Sequence, residues 1–305
     1  MPSARTRRVR ETRHIFIRRY YASRNVEFVN AFTVDVEEHF QVSAFEATIP
    51  RERWGDFPSR VVANTQRLLA LLDSHAVKAT FFVLGWTAKQ YPGLVREIEA
   101  AGHEIASHGF WHRIVYDQSP SAFREDVRLG RDVLQDIVGH RVTTYRAPSF
   151  SITRRSLWAR EILVEEGFDV DSSVFPIHHD RYGIPDAPLD IHRIDTPAGP
   201  LWEFPPSVVR IGGMRLPVGG GGYFRLYPLC WTTALLRRIH QFDQRPFLFY
   251  MHPWEVDPCQ PRIPVKSWLS RFRHYVNLSG TEAKLSALFR QFRFAPMAEV
   301  IRSVQ

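Results

Sequence analysis

The sequence holds only two cysteines, Cys230 and Cys259, too few for a disulfide framework and spaced unlike a zinc-binding pair. It also lacks a long apolar run. Nothing approaches the roughly 18 residues a membrane span needs, and Ile15–Ile17 is far too short for the apolar core of a signal peptide. The expected location is the cytoplasm, with peripheral attachment to the inner membrane as the variant a basic tail would allow. Acids are scarce at one end only. Residues 1–24 carry eight arginines against one acid, Glu11, and so account for +7 of a net charge of +8. The rest of the chain is nearly neutral, so no nucleic-acid partner is expected and residues 1–26 are expected to form a basic, disordered tail. A phosphate-binding loop is missing too. Gly219–Gly222, followed by Tyr223, has the wrong spacing for one and reads as a tight loop that lets backbone approach something closely.

What is present is a chain rich enough in apolar residues, 44% with 13% aromatic, to bury a large core. From Glu27 short β-rich runs alternate with helical stretches. Strands are expected at Val29–Val36, Val77–Leu84, Glu104–Ser107, Thr143–Arg146 and Phe168–Ser172. Helices are expected between them at Ser59–Asp73, Thr87–Ala101, Ser121–Val138 and Thr153–Glu166. Such alternation implies parallel strands with crossover helices, in a barrel or a doubly wound sheet. Residues 175–228 are rich in Pro and Gly, with β-like pieces near Trp202–Phe204 and Val208–Ile211. Regularity returns with helix Cys230–Phe242, strand Phe247–Met251 and helix Thr281–Phe292.

Four polar constellations fall at strand ends, where parallel sheets place their sites. Asp35-Val36-Glu37-Glu38 closes the first strand, and side-chain alternation puts Thr33, Asp35 and Glu37 on one face. Two neighbouring carboxylates repel unless a cation or proton sits between them, although an acidic loop start explains this segment equally well. His108 and His112, at i and i+4 after the third strand, can aim two imidazoles at one point. With one carboxylate they make a three-ligand site of the catalytic zinc type, though such a pair is weak on its own. Arg146 ends the fourth strand and needs an acid if buried, with Asp35 available; a helix acid is as good a candidate. His252 ends an apolar strand and is followed by Pro253, Trp254 and Glu255. Alone it reads as structural, and beside a metal it becomes the natural general acid.

Together these segments resemble the polysaccharide deacetylases of carbohydrate esterase family four, the NodB homology domain. The resemblance rests on GHEIASHGFWH (Gly102–His112), ATFFVLGW (Ala79–Trp86), YRAPSF and FYMHP, in order and over roughly residues 28–255. DVEEHF, DSSVFP, HPWEVDPCQPR and the segment RFRHYVNLSGTEAKLSALFRQFRF look more specifically like the deacetylases linked to exopolysaccharide and exosortase systems. The resemblance implies an α/β fold, a distorted (β/α) barrel over residues 27–255, with residues 256–305 as a C-terminal extension packed on it. It implies hydrolysis of N-acetyl groups on a bacterial polysaccharide with a divalent metal, expected to be zinc. His108 and His112 then become metal ligands, Arg146 orients the base and His252 is the acid. The first motif departs from the usual adjacent Asp pair. Asp35 is assigned as base and Glu37 as third ligand, with Glu38 as the fallback. The oxyanion donor falls on the backbone N–H of Ser149, and Asp171 sits where the family often has an Asp paired with the acid His. Trp111, Tyr223 and Trp254 are the candidate sugar-stacking walls. An allantoinase-like cyclic amide hydrolase and a non-catalytic carbohydrate-binding relic are the other readings of the same scaffold.

Overall fold

A computed structural model describes residues 28–43, 45–46, 48–264 and 267–305; the basic tail expected at residues 1–26 lies outside them. The strand–helix alternation is realised as β1 (Val29–Val36), α1 (Val61–Ser74), β2 (Thr80–Val83), α2 (Gly85–Gln90), α3 (Pro92–Ala100), β3 (Glu104–Ser107), α4 (Pro120–Val138), β4 (Thr144–Tyr145), α5 (Ala159–Glu165) and β5 (Val170–Asp171). The helix expected over 87–101 is two helices. Pro92 cannot continue the first, having no N–H and forcing Tyr91 out of helical geometry, and it starts the second at its N1 position. Gly139, in the left-handed conformation at φ 76°, stops α4 where expected.

The Pro/Gly-rich stretch carries more regular structure than its composition suggests: β6 (His192–Thr196), β7 (Gly199–Glu203), β8 (Val208–Ile211), β9 (Met214–Pro217) and the short α6 (Gly221–Leu226). Then follow α7 (Leu229–Arg238), β10 (Leu248–Met251), α8 (Trp268–Tyr275), α9 (Thr281–Phe289), β11 (Arg293–Ala295) and α10 (Met297–Val304).

The main sheet runs β10-β1-β2-β3-β4-β5-β7-β6, with β11 also pairing β1. Its strands are parallel except for β6 against β7. Among the described residues no ladder joins its two ends. Single hydrogen bonds cross the gap instead: Leu248 N–H to Ser207 Oγ (2.8 Å), Gly219 N–H to Ser207 O (3.2 Å) and Tyr250 N–H to Gly219 O (2.7 Å). The glycine run is thus the tight loop its sequence suggests. A Cβ on Gly220, at φ +120°, would lie 1.9 Å from the Tyr250 carbonyl oxygen, so only glycine allows this strand-like approach to β10.

Alternation along β1 divides two cores. Phe32, Val34 and Val36 face an outer layer with Leu68, Leu72, Phe81 and Phe249. Ala31 faces the interior with Phe82, Phe150, Tyr250 and Met297, and Thr33 and Asp35 follow on that face, as the two-residue period requires. The residues expected as an extension enter the sheet itself. β11 pairs Val29–Ala31, and the start of α10 is tied in by Met297 N–H to Thr80 Oγ1 (2.7 Å) and Ala298 N–H to Glu104 Oε2 (3.1 Å). No helix of the described residues is long and apolar enough to cross a membrane.

Candidate metal centre and acid–base site

β1 delivers Asp35 buried at its C-terminal end, where a turn closed by Glu37 N–H to Asp35 O (3.0 Å) brings Glu37 back over the same mouth. Arg146, 0% exposed, donates from Nη1 to Asp35 Oδ1 (2.6 Å) and Thr33 Oγ1 (2.9 Å), and from Nη2 to Ser172 Oγ (3.0 Å). Its guanidinium lies 4.0 Å from the centre of the Phe82 ring. A buried guanidinium is tolerable only with such partners, and they fix one oxygen of Asp35 while the other faces inward.

The loop after β3 carries the histidines. Gly109, at φ +73°, leaves room for the Asp126 carboxylate, whose oxygens accept from Phe110 N–H (3.0 Å) and Trp111 N–H (3.1 Å). Asp126 therefore shapes the loop from α4, a role its place in an amphipathic helix does not announce. Burial and, next, the neighbouring His112 push the His108 imidazole down to about 3, so it is neutral. Its Nδ1–H donates to Arg146 O (2.8 Å), which leaves Nε2 with its lone pair. Glu37, His108 and His112 each present a ligand atom within 4.8 Å of the others, and all three are buried. Glu37 Oε2 and His112 Nε2 approach to 2.6 Å, yet that oxygen lacks a partner in hydrogen-bonding alignment. Burial opposes ionisation of Glu37, but His112, His252 and His108 hold its carboxyl below the usual range. One carboxylate and two imidazole groups converging out of water suit a divalent ion of the zinc type.

Glu38, the fallback ligand, is engaged elsewhere. Its carboxylate accepts from Ser59 Oγ and from the N–H groups of Arg60 (3.0 Å) and Val61 (3.2 Å), capping the start of α1.

His252 stands opposite, with Nε2 3.6 Å from Glu37 Oε1 and 4.0 Å from Asp35 Oδ2. Its Nδ1 is 2.9 Å from Glu255 Oε1, and Glu255 Oε2 receives Arg225 Nε at 2.7 Å. Burial alone would lower the imidazole's pKa; the Glu255 hydrogen bond, with Glu37 and Asp35, pushes it up to about 9. For Glu255, burial opposes the charge, and Arg225 and His252 outweigh it to hold the carboxyl at about 2. Sequence reasoning missed both Glu255 and Arg225. The i, i+3 spacing of His252 and Glu255, that of a capping box, is the signal that could have found the first.

Two expectations need correction. Asp171 does not serve the acid histidine. It is buried on β5, bonded to the Ser173 hydroxyl, and burial raises its pKa beside Glu203. The histidine's partner is Glu255. Trp254 cannot be a sugar wall, because it is 5% exposed and both faces are covered, by His252 at 4.9 Å and His274 at 4.2 Å. Tyr223 is half-buried at the start of α6, its ring 6.2 Å from that of Tyr227. Trp111 is half-buried, its ring centre 6.5 Å from that of Trp54. Ser149 follows Pro148 at φ 54°, with its hydroxyl 2.5 Å from Ser43 Oγ. His112, Ser149 and Phe150 all hold left-handed φ near 52–54°, the kind of strain that collects at working sites.

Residues 54–165, which supply both histidines and Arg146, match the family described as polysaccharide deacetylase. The chain carries a polysaccharide deacetylase domain. Residues 172–302 of the same chain match a family described as a domain of unknown function, DUF3473. The deacetylase domain is similar to YheN of Bacillus subtilis (38% identical over 37% of this chain and 39% of YheN). It is also similar to a peptidoglycan-N-acetylglucosamine deacetylase of Bacillus cereus (32% identical over 32% of this chain and 36% of the relative). The chain thus spans about two-fifths or less of the length of these curated relatives. In fold this chain is like a Mycobacterium smegmatis crystal structure described as a putative polysaccharide deacetylase (TM-score 0.60, 20% identity, 92% of this chain and 91% of the other). The PuuE allantoinase is similar in fold as well (TM-score 0.57, 14% identity, 92% and 94%).

Proposed function

We propose that this protein hydrolyses N-acetyl groups of a bacterial polysaccharide with a divalent ion held by Glu37, His108 and His112. One observation carries the reading: the three-ligand cluster adjoins both an arginine-anchored carboxylate, Asp35, and a histidine, His252, whose far nitrogen is held by Glu255. The ion, expected to be zinc, supplies Lewis acidity toward the amide carbonyl and toward water.

An acetamide resists hydrolysis because its carbonyl is resonance-stabilised and an amine leaves poorly. Asp35, with Oδ1 fixed by Arg146, takes a proton from the attacking water at Oδ2. The backbone N–H of Ser149 donates to the developing oxyanion. His252 gives the Nε2 proton to the departing nitrogen, while Glu255 on Nδ1 keeps the ring oriented and charged. Each proton transfer of this kind contributes roughly 10²–10⁴-fold.

The acetylated unit is read as N-acetylglucosamine-like, by analogy with relatives named peptidoglycan-N-acetylglucosamine deacetylase and chitooligosaccharide deacetylase. An exopolysaccharide as the polymer is supported by the resemblance of DVEEHF and HPWEVDPCQPR to that subfamily and by the second family match at residues 172–302. The test is metal analysis of the purified protein together with acetate release from N-acetylated glycans and turnover of allantoin. Acetate release that a chelator stops supports the reading. Turnover of allantoin alone, or a metal-free protein inert on every substrate, rejects it.

A further inference from the structure

Helix α8 is turned inside out. Trp268, Phe272 and Tyr275 recur at i, i+4 and i+7, the spacing of a stripe that normally faces a core. Here the stripe faces solvent, with Trp268 73% and Phe272 49% exposed. With Arg262, Arg271 and Val276 it lines an open groove of about 350 Å³. The Arg262 guanidinium lies 4.8 Å from the centre of the Tyr275 ring, and neither Arg262 nor Arg271 makes an ion pair among the described residues. The groove therefore offers flat aromatic faces and two uncompensated positive charges.

Its position ties it to the acid–base site. His252 stacks on Trp254, Trp254 on His274, and His274 meets Tyr275 edge-on at 4.6 Å, so three ring contacts link the acid histidine to the groove wall. Arg225, which holds Glu255, also donates to the carbonyls of Arg273 (2.9 Å), His274 (2.9 Å) and Val276 (2.8 Å). The buried side of α8 is thereby locked to the site while its aromatic side stays open.

We propose that this groove binds an acidic segment of the polysaccharide, sugar rings stacking on Trp268 and Phe272 and carboxylates meeting Arg262 and Arg271. The inference rests on the deacetylase reading and adds that the polymer carries negative charge at a distance from the reacting acetyl group. Arg271 shares the groove with the rings, whereas a helix lying on a lipid surface carries its cations on the face opposite its rings, so a single acidic glycan strand fits this wall better.

Binding of an oligogalacturonate and of a neutral N-acetylglucosamine hexamer to the full chain tests this directly, without reliance on turnover. The acidic glycan should bind, and more weakly as salt rises. Trp268→Ala and Arg271→Gln should each weaken it about tenfold, as expected for loss of one stacking or charge contact. Trp268→Phe should recover most of the loss. Equal acidic-glycan affinity in wild type and variants overturns the proposal, as does no binding by wild type. Loss of phosphatidylglycerol-vesicle binding in these variants with glycan binding intact would also overturn it and make the face a membrane contact. If no glycan releases acetate, the deacetylase reading fails while the binding comparison still decides the groove.

Discussion

Glu255 holds His252 from the far side of its ring, Oε1 to Nδ1 at 2.9 Å, while Arg225 holds Glu255 in turn at 2.7 Å. The acid is thus set by a carboxylate three residues along the chain.

Glu255→Gln keeps a hydrogen-bonding side chain but removes the charge that raises His252. Because His252 acts only when protonated, the loss of rate at alkaline pH should begin at lower pH in the variant, with the acid limb unmoved. Rate–pH profiles check this. The same shift bears on stability in the metal-stripped protein. A pKa raised from 6.5 to about 9 gives stability that is full below about pH 6.5 and is lost as pH rises through 9. The melting temperature of the wild type should fall over that window more than that of Glu255→Gln.

Glu37 and Glu38 should separate cleanly. Glu37→Gln, like His108→Ala and His112→Ala, should lose stoichiometric metal by elemental analysis. Glu38→Gln should keep it and instead lower stability by about 0.5–2 kcal/mol, the usual worth of a helix N-cap. Full metal occupancy in Glu37→Gln would remove that residue from the ligand set.

Asp35→Asn should retain metal yet lose roughly 10²–10⁴-fold in rate on both N-acetyl sugars and aryl acetates, since a carboxamide cannot take the proton from water. His252→Ala should lose comparable activity on the N-acetyl sugar but far less on the aryl acetate, whose leaving group departs as a stable anion. Equal losses on both substrates would make His252 a structural residue.

Gly220→Ala should be among the most damaging loop changes, because Gly220 is buried against β10. Its methyl group meets a backbone carbonyl that cannot move without breaking β10, so destabilisation above about 4 kcal/mol is expected. Chemical denaturation, or failure to obtain soluble protein, would register it.

β1 was fully legible because its alternation is strict, and the same alternation placed Thr33 and Asp35 on the inner face. The His108–His112 pair was legible as spacing, but what orients it was not, since Asp126 looks like one more acid on a helix. Strands β6 and β9 hid in a Pro/Gly-rich segment because β6 is nowhere fully buried and β9 is only four residues long, ending in a proline. Asp171 and Trp254 went wrong for different reasons. A family position does not say which neighbour a carboxylate will find in this chain, and a tryptophan beside a site signals nothing about which of its faces are already taken. β11 is three residues long and has no pattern to read.

That short strand has a consequence for how the molecule comes into being. Asn30 donates its side-chain amide to the carbonyl of Arg293, 263 positions later, and β1 has no partner along its first residues on that side until β11 arrives. Pairing of such distant segments pays its loop-closure entropy late, so it slows folding. On the ribosome the first residues of the strand that carries Asp35 must wait, that stretch of edge bare, until the segment 263 positions further on has been made. The nascent chain should therefore need protection from self-association until β11 emerges, and any fragment that stops short of residue 293 should fail at the first strand rather than at the last.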